Sequence, residues 1–335
     1  MKKIVLTLIA LCLMVSCKPI TPEPTTPENV VSGLITEDVT WYSDTIYEMV
    51  GKVVVEENAT LTIQPGTLIK ARDGQGSLST ALVIAQGGRI EAMGTSENPI
   101  IFTSIYDTGD NLDQTDQGLW GGIIILGYAP ISANTPVAHI EGIPADDTFG
   151  AYGGNNLQDN SGVLKYVSIR HAGALLGDGN ELNGLTLGGV GSETVIDNIE
   201  VVGNLDDGIE CFGGTVNLTN TLVWAQGDDA FDIDQAFAGV FDNFISIEGT
   251  DSDHALEIDG PEGNSQADFT MLNGTLISLD TSEVHFRDEA SGYVEFMGIA
   301  NIVADPGTEV IVEYLTEGAD ISVFNWTLAA KKGAL

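Results

Sequence analysis

Apolar and polar residues alternate in short runs along almost the whole chain, and between Thr194 and Asp259 the runs recur at a fixed spacing. Ile-Asp-Asn198-Ile-Glu-Val, Leu-Thr-Asn220-Thr-Leu-Val and Phe-Asp-Asn243-Phe-Ile-Ser align with one another. Each asparagine precedes an acidic turn, at Asp207, Asp229 and Asp253, followed by a further alternating run. The asparagines are 22 and then 23 residues apart. Strands of two to five residues, Gly/Asn/Asp turns and a period in the twenties without a helical segment predict the coils of a parallel β-helix. Stacking then fixes the neighbours. Ile209, Phe231, Leu256 and Val284 form one inward column, and Cys211, Ile233, Ile258 and Phe286 form the next. Glu210, Asp232, Glu257 and His285 form an outward column facing water, as do Phe212, Asp234, Asp259 and Arg287. Asn198, Asn220 and Asn243 stack at a bend, where amides tolerate left-handed backbone and bond from rung to rung.

The alternation is broken in four places. Ser104 to Gly118 is a polar excursion with Asp107, Asp110, Asp113 and Asp116 three apart; it is either a solvated acidic loop or a cluster of oxygen ligands for calcium, without the glycine and glutamate of an EF-hand. Ala138 to Ser161 is a longer Gly- and Asp-rich excursion, of a length that suits a functional lip. Leu175 to Asn183 is a shorter loop. At the end of the chain, residues 323–332 have one apolar face and predict a short helix that caps the open coil.

The amino-terminal pattern is of another kind. Lys2 and Lys3 precede an apolar run from Ile4 to Val15, which predicts an export signal. Leu13-Met-Val-Ser-Cys17 resembles the cleavage box of bacterial lipoproteins, which implies a signal peptide over residues 1–16 and a lipid on Cys17. Residue 18 is lysine, which by the same resemblance implies an outer-membrane anchor, on the periplasmic or cell-surface side. Residues 17–29, with four prolines, read as a tether. Residues 30–335 read as one elongated domain. Removal of the signal takes Cys12 with it and leaves Cys211 as the lone unmodified cysteine, in an inward column, where a buried inert thiol is expected.

Net charge narrows the partners. With 49 acidic against 12 basic residues the formal charge is −37, which excludes nucleic acid and favours solubility or divalent cations. The outward column Glu210, Asp232 and Glu257 places carboxylates a strand spacing apart, roughly 4.8 Å, with Asp206, Asp207, Asp228, Asp229, Asp234 and Asp259 nearby. Like charges this close require a shared proton, a bound cation such as Ca2+, or enough water to screen them.

Asn204-Leu-Asp-Asp207, Gly227-Asp228-Asp229, Asp253-His254-Ala255 and His285-Phe286-Arg287 resemble the motifs of polygalacturonase-type glycoside hydrolases, of which only Gly-Asp-Asp is intact. That resemblance implies an inverting hydrolase with Asp228 or Asp229 as general acid, Asp207 and the other aspartate activating water, and His254 and Arg287 orienting substrate. A second resemblance spans nearly the whole mature chain. Gly118-Leu-Trp-Gly-Gly-Ile-Ile-Ile-Leu-Gly, Asp159-Asn-Ser-Gly-Val-Leu-Lys-Tyr-Val, Asn180-Glu-Leu-Asn-Gly-Leu-Thr-Leu-Gly-Gly-Val-Gly and Phe212-Gly-Gly-Thr-Val-Asn217 are similar to pectin-lyase-like bacterial surface lipoproteins. It implies an all-β, right-handed parallel β-helix and a surface location, with no assigned reaction. Two functions follow. One is engagement of a polysaccharide along the acidic groove, by binding or cleavage, with Glu210, Phe212, Asp232, Glu257 and His285 lining it and Phe212 stacking on a sugar ring. The other is a non-catalytic structural or adhesive lipoprotein whose acids, Asp234 and Asp259 among them, hold calcium.

Overall fold

A computed structural model describes residues 29–175, 182–277, 283–297, 301–314 and 319–320. The export signal, Cys17, the tether up to residue 28 and the expected helix at 323–332 lie outside the described residues. The first strand is Val30–Ile35, and 22 strands join in one sheet that winds on itself with parallel pairing throughout. An early coil contributes three short strands, such as Arg89–Met93, Ile100–Ser104 and Gly122–Leu126, and from Gly162 to Phe286 each coil contributes two, the longer one bent at a left-handed residue.

The inward columns form as the alternation requires. Leu82, Ile123, Leu185, Ile209, Phe231, Leu256 and Val284 stack rung on rung. Ile84, Ile125, Leu187, Cys211, Ile233, Ile258 and Phe286 stack beside them in the same core. Phe231 is fully buried, with its ring edge-on to Phe241 at 5.6 Å and Phe244 at 5.4 Å. Cys211 is a buried free thiol whose pKa burial pushes well up, so it is chemically quiet.

The asparagine bend is also present. Asn198, Asn220 and Asn243 have φ of 55°, 57° and 62°. Asn220 Nδ2 donates to Asp197 Oδ1 at 2.7 Å, and Asn243 Nδ2 donates to Asn220 Oδ1 at 2.6 Å. The bend runs on beyond the repeat. Tyr166 holds the same left-handed position one rung earlier, and Asn273 continues it one rung later with a bond to Asp242 Oδ1 at 2.6 Å.

The excursion after Gly127 closes over one face. Ala138–His139 and Ala151–Tyr152 pair antiparallel, and Ile131, Ile140, Ile143 and Tyr152 lie on outward residues of the underlying strands, Val54, Ala81, Val83, Ile124, Leu126 and Phe212. Two expectations are corrected by this cover. Phe212 does not face water: it is 8% exposed, with the Tyr152 ring 6.0 Å away, so its face is not open to a sugar. Glu210, next to it on the same strand, is 6% exposed rather than solvated.

The Asp107 to Asp116 excursion resolves into turns. Asp107 accepts from Thr103 Oγ1 and Gly109 N, Asp113 from Thr115 N and Oγ1, and Asp116 from Asp113 N. These three carboxylates accept bonds from their own stretch of chain.

Candidate functional site

The acidic residues gather on the face carrying Leu185–Gly188, Ile209–Phe212, Phe231–Asp234, His254–Ile258 and Glu283–Phe286. Strand register sets Glu210 beside Asp232, Asp232 beside Glu257 and Glu257 beside His285, the column that alternation predicts. Asp207, Asp229 and His254 form a parallel row at the preceding turn. Asp229 N donates to Asp207 Oδ1 at 3.0 Å, and His254 N donates to Asp229 Oδ1 at 2.8 Å, so these two aspartates tie successive turns together. His254 Nδ1 also lies 2.7 Å from Asp229 Oδ1. Asp228 stands exposed beside this row, and Asp253 N binds its carbonyl at 2.9 Å.

The three acids at the centre converge. Asp207, Glu210 and Asp232 each offer a carboxylate oxygen, all within 4.8 Å of one another, and Asp206, Asp207 and Asp228 do the same. Asp207 and Glu210 are each 6% exposed, and Asp232 Oδ1 is buried with no hydrogen-bond partner. Among the described residues no ion pair reaches any of the three. Burial first, and then repulsion from neighbouring carboxylates, pushes all three carboxyls well above the usual carboxylate range. Of the three ways to accommodate such a cluster, screening by bulk water is therefore removed. A shared proton or a cation remains.

The flanks are electrically different. Arg287 contacts Glu257 through Nη1 and lies 3.3 Å from Asp259 Oδ1 through Nε, so its guanidinium is engaged by protein carboxylates. Asp234 Oδ1 accepts from Gln235 N at 2.6 Å, yet burial still lifts this carboxyl to about 7. Neither Asp234 nor Asp259 belongs to a group of converging ligand atoms among the described residues; the convergence is at Asp207, Glu210 and Asp232 instead.

Buried amides that sequence reasoning passed over hold the centre in shape. Asn183, 2% exposed, donates through Nδ2 to Glu210 Oε2, and Asn204 donates through Nδ2 to the Asp207 carbonyl at 2.7 Å. Tyr152 OH reaches from the cover to Gln235 Oε1 at 3.1 Å. Concavity and chemistry do not coincide. A cleft of 600 Å³ lies on another face, lined by Lys70, Asp107 and Arg170, and it has no comparable convergence of acids. We take the acid strip as the site because unpaired buried charge is costly to retain without a use.

A family model described as a pectate-lyase like beta helix domain matches residues 33–291. The chain belongs to that family. The match covers every acid of the strip, so the strip is part of the pectate-lyase-like domain rather than an appendage to it. Searches of curated proteins and of solved structures found no match.

Proposed function

We propose that the protein is an exported lipoprotein, anchored through Cys17 on the periplasmic or outer face of the outer membrane, whose β-helix engages polysaccharide along the acid strip. The observation that carries this reading is the convergence of Asp207, Glu210 and Asp232 on the one solenoid face that the cover leaves open beyond Phe212. A family whose description is pectate-lyase-like supports a glycan as the partner. The net charge of −37 disfavours a polyanionic chain unless a cation bridges it, and so favours neutral glycans or calcium-bridged acidic ones.

Two modes of action differ in the spacing they need. An inverting hydrolase keeps its carboxyls roughly 6.5–9.5 Å apart to admit a water. The oxygens of Asp207 and Asp228, and those of Asp207, Glu210 and Asp232, come within 4.8 Å. That spacing supports a bound Ca2+ or a shared proton over a water-separated pair, and so supports the second reading of a non-catalytic, calcium-holding surface protein. In a cleaving mode Asp228, the exposed member, is the acid that substrate reaches, Asp207 lies beneath it, and Asp229 and His254 act as a positioning pair.

The test is retention and reducing-end release on a panel of neutral and acidic glycans, with calcium and with chelator, for wild type, Asp228→Asn and Glu210→Gln. Calcium-dependent retention lost in Glu210→Gln supports the cation mode; release lost in Asp228→Asn supports cleavage. No retention and no release under either condition removes the glycan reading. Anchoring is read separately: Cys17→Ala should move the protein from the membrane fraction to the soluble one.

A further inference from the structure

At the carboxy-terminal end of the strip the chemistry changes from all-oxygen to nitrogen and oxygen. The chain has four histidines, and two of them, His254 and His285, stand on adjacent rungs with rings 5.8 Å apart. Glu257 and His285 are direct strand neighbours, so their side chains leave the same face. By simple alternation His254, two residues before the inward Leu256, would point into the core. The register shifts between His254 and Leu256, and Ala255 is the extra residue. Such a bulge re-aims a side chain, and here it brings the His254 ring out to the side of Glu257, with Nδ1 3.2 Å from Glu257 Oε2.

From this juxtaposition we infer that His254, Glu257 and His285 form a site for a divalent transition metal of the zinc type. One ligand atom from each lies within 4.8 Å of the other two. A tetrahedral zinc with bonds of about 2.1 Å holds its ligands roughly 3.4 Å apart, a closure within reach of side-chain rotation. Two imidazoles and one carboxylate suit zinc and its neighbours, whereas calcium takes oxygen. The fourth position is left to solvent or to an incoming ligand.

The surroundings are those of a built site. Asp229 Oδ1 lies 2.7 Å from His254 Nδ1, the nitrogen that also faces Glu257 Oε2, and so holds the imidazole in place beside the carboxylate ligand. Glu257 has its second oxygen, Oε1, held by Arg287, which leaves Oε2 on the histidine side. His285 Nε2 is buried with no hydrogen-bond partner, and the nearest carboxylate oxygen paired with it, on Asp305, is 3.6 Å away. Among the described residues Asp229, Asp253, Asp259 and Asp305 outnumber Arg287 around the three ligands, which favours a cation. This site shares no ligand with Asp207, Glu210 and Asp232, but His254 also serves the cleaving mode of the glycan reading, so zinc binding is read without glycan and the two are tested apart.

The experiment is zinc titration of the metal-stripped protein by calorimetry, in buffer containing millimolar calcium. The expected result is one zinc per chain, not displaced by calcium. Binding should be lost in His254→Gln and His285→Gln, weakened roughly 10–100-fold in Asp229→Asn, and unchanged in His139→Gln, a histidine on the cover. Ring-nitrogen NMR of the wild type supplies a readout that needs no variant: two of the four histidines should shift on zinc addition, and they should be the two whose signals His254→Gln and His285→Gln remove. Absence of zinc binding, binding that survives both histidine variants, or shifts in the other two rings would overturn the assignment.

Discussion

Replacing Glu210 by glutamine should make the protein more stable at neutral pH, against the usual direction for a buried polar substitution. The side chain keeps its shape and an oxygen to accept from Asn183 Nδ2. What it loses is charge. Two ionised carboxylates with oxygens within 4.8 Å of one another repel by about 3.5 kcal/mol at that limit and an effective dielectric of about 20. Holding one carboxyl protonated instead avoids that repulsion. At pH 7, against an unfolded glutamate near pKa ~4.3, it costs about 3.7 kcal/mol. The two routes are equally expensive, so Glu210→Gln should relieve roughly 3 kcal/mol whichever the native state takes. The sign with pH follows from a folded-state pKa raised above the unfolded one. Below about pH 4 both states hold the proton and the substitution is neutral; as pH rises, the wild type loses more stability than the variant, which keeps only the raised carboxyls of its other acids. Urea unfolding at pH 4 and pH 7 in chelator measures the difference directly. A variant no more stable than wild type at pH 7, or an equal gain at both pH values, would refute the cluster's electrostatics. Added calcium should reverse the ranking if the acids hold the ion, because only the wild type then gains from it.

Asp234→Asn should flatten another part of the same profile. Its carboxyl is lifted to about 7, so the wild type loses roughly a few kcal/mol between pH 4 and pH 7 that the variant keeps, read from thermal midpoints across that range. Phe231→Ala removes a fully buried ring between Phe241 and Phe244 and should lower unfolding free energy by about 3–5 kcal/mol, read from the urea midpoint. Asn243→Val should cost about 2 kcal/mol or more, since a β-branched residue is forced into φ of 62° and the bonds to Asn220 and Asp320 are lost; Asn243→Gly should recover the backbone part alone.

The coil register was legible because it rests on two local signals, alternation and a repeat of 22 to 23 residues, and each fixes neighbours without reference to the rest of the chain. The bend at Asn273 escaped for the same reason. Thirty residues separate it from Asn243, the extra length lying in the run around Glu262 to Asp268, so a search at constant period stops one rung short. The bulge at Ala255 was likewise silent, since alternation reads correctly from Leu256 onward and gives no sign that His254 has changed sides. The pairing of Arg287 was legible too, since its rung places it beside Asp259 and diagonal to Glu257, where opposite charges pair.

Exposure was the part that local signals do not contain. Alternation says that Phe212 and Glu210 point away from the core, and they do; it says nothing of what lies on top of them. The cover comes from residues some sixty to eighty positions earlier, and its apolar side chains meet two outward columns that are themselves apolar, one at Val83 and Ile124 and the next at Leu126. Those outward apolar residues were the available signal, because a solenoid face bathed in water has no reason to carry isoleucine. The first column turns acidic at Glu210 and the second one rung after Phe212, at Asp234, where the apolar contacts of the cover end. A face that is dry under a lid on one side and crowded with unpaired carboxylates on the other places its charge where low-dielectric protein strengthens every interaction with a cation or a hydroxyl-bearing ligand. The stability forfeited at Glu210 and Asp232 is then what holds that field in place, which is why the neutral variant should be at once the sturdier protein and the weaker binder.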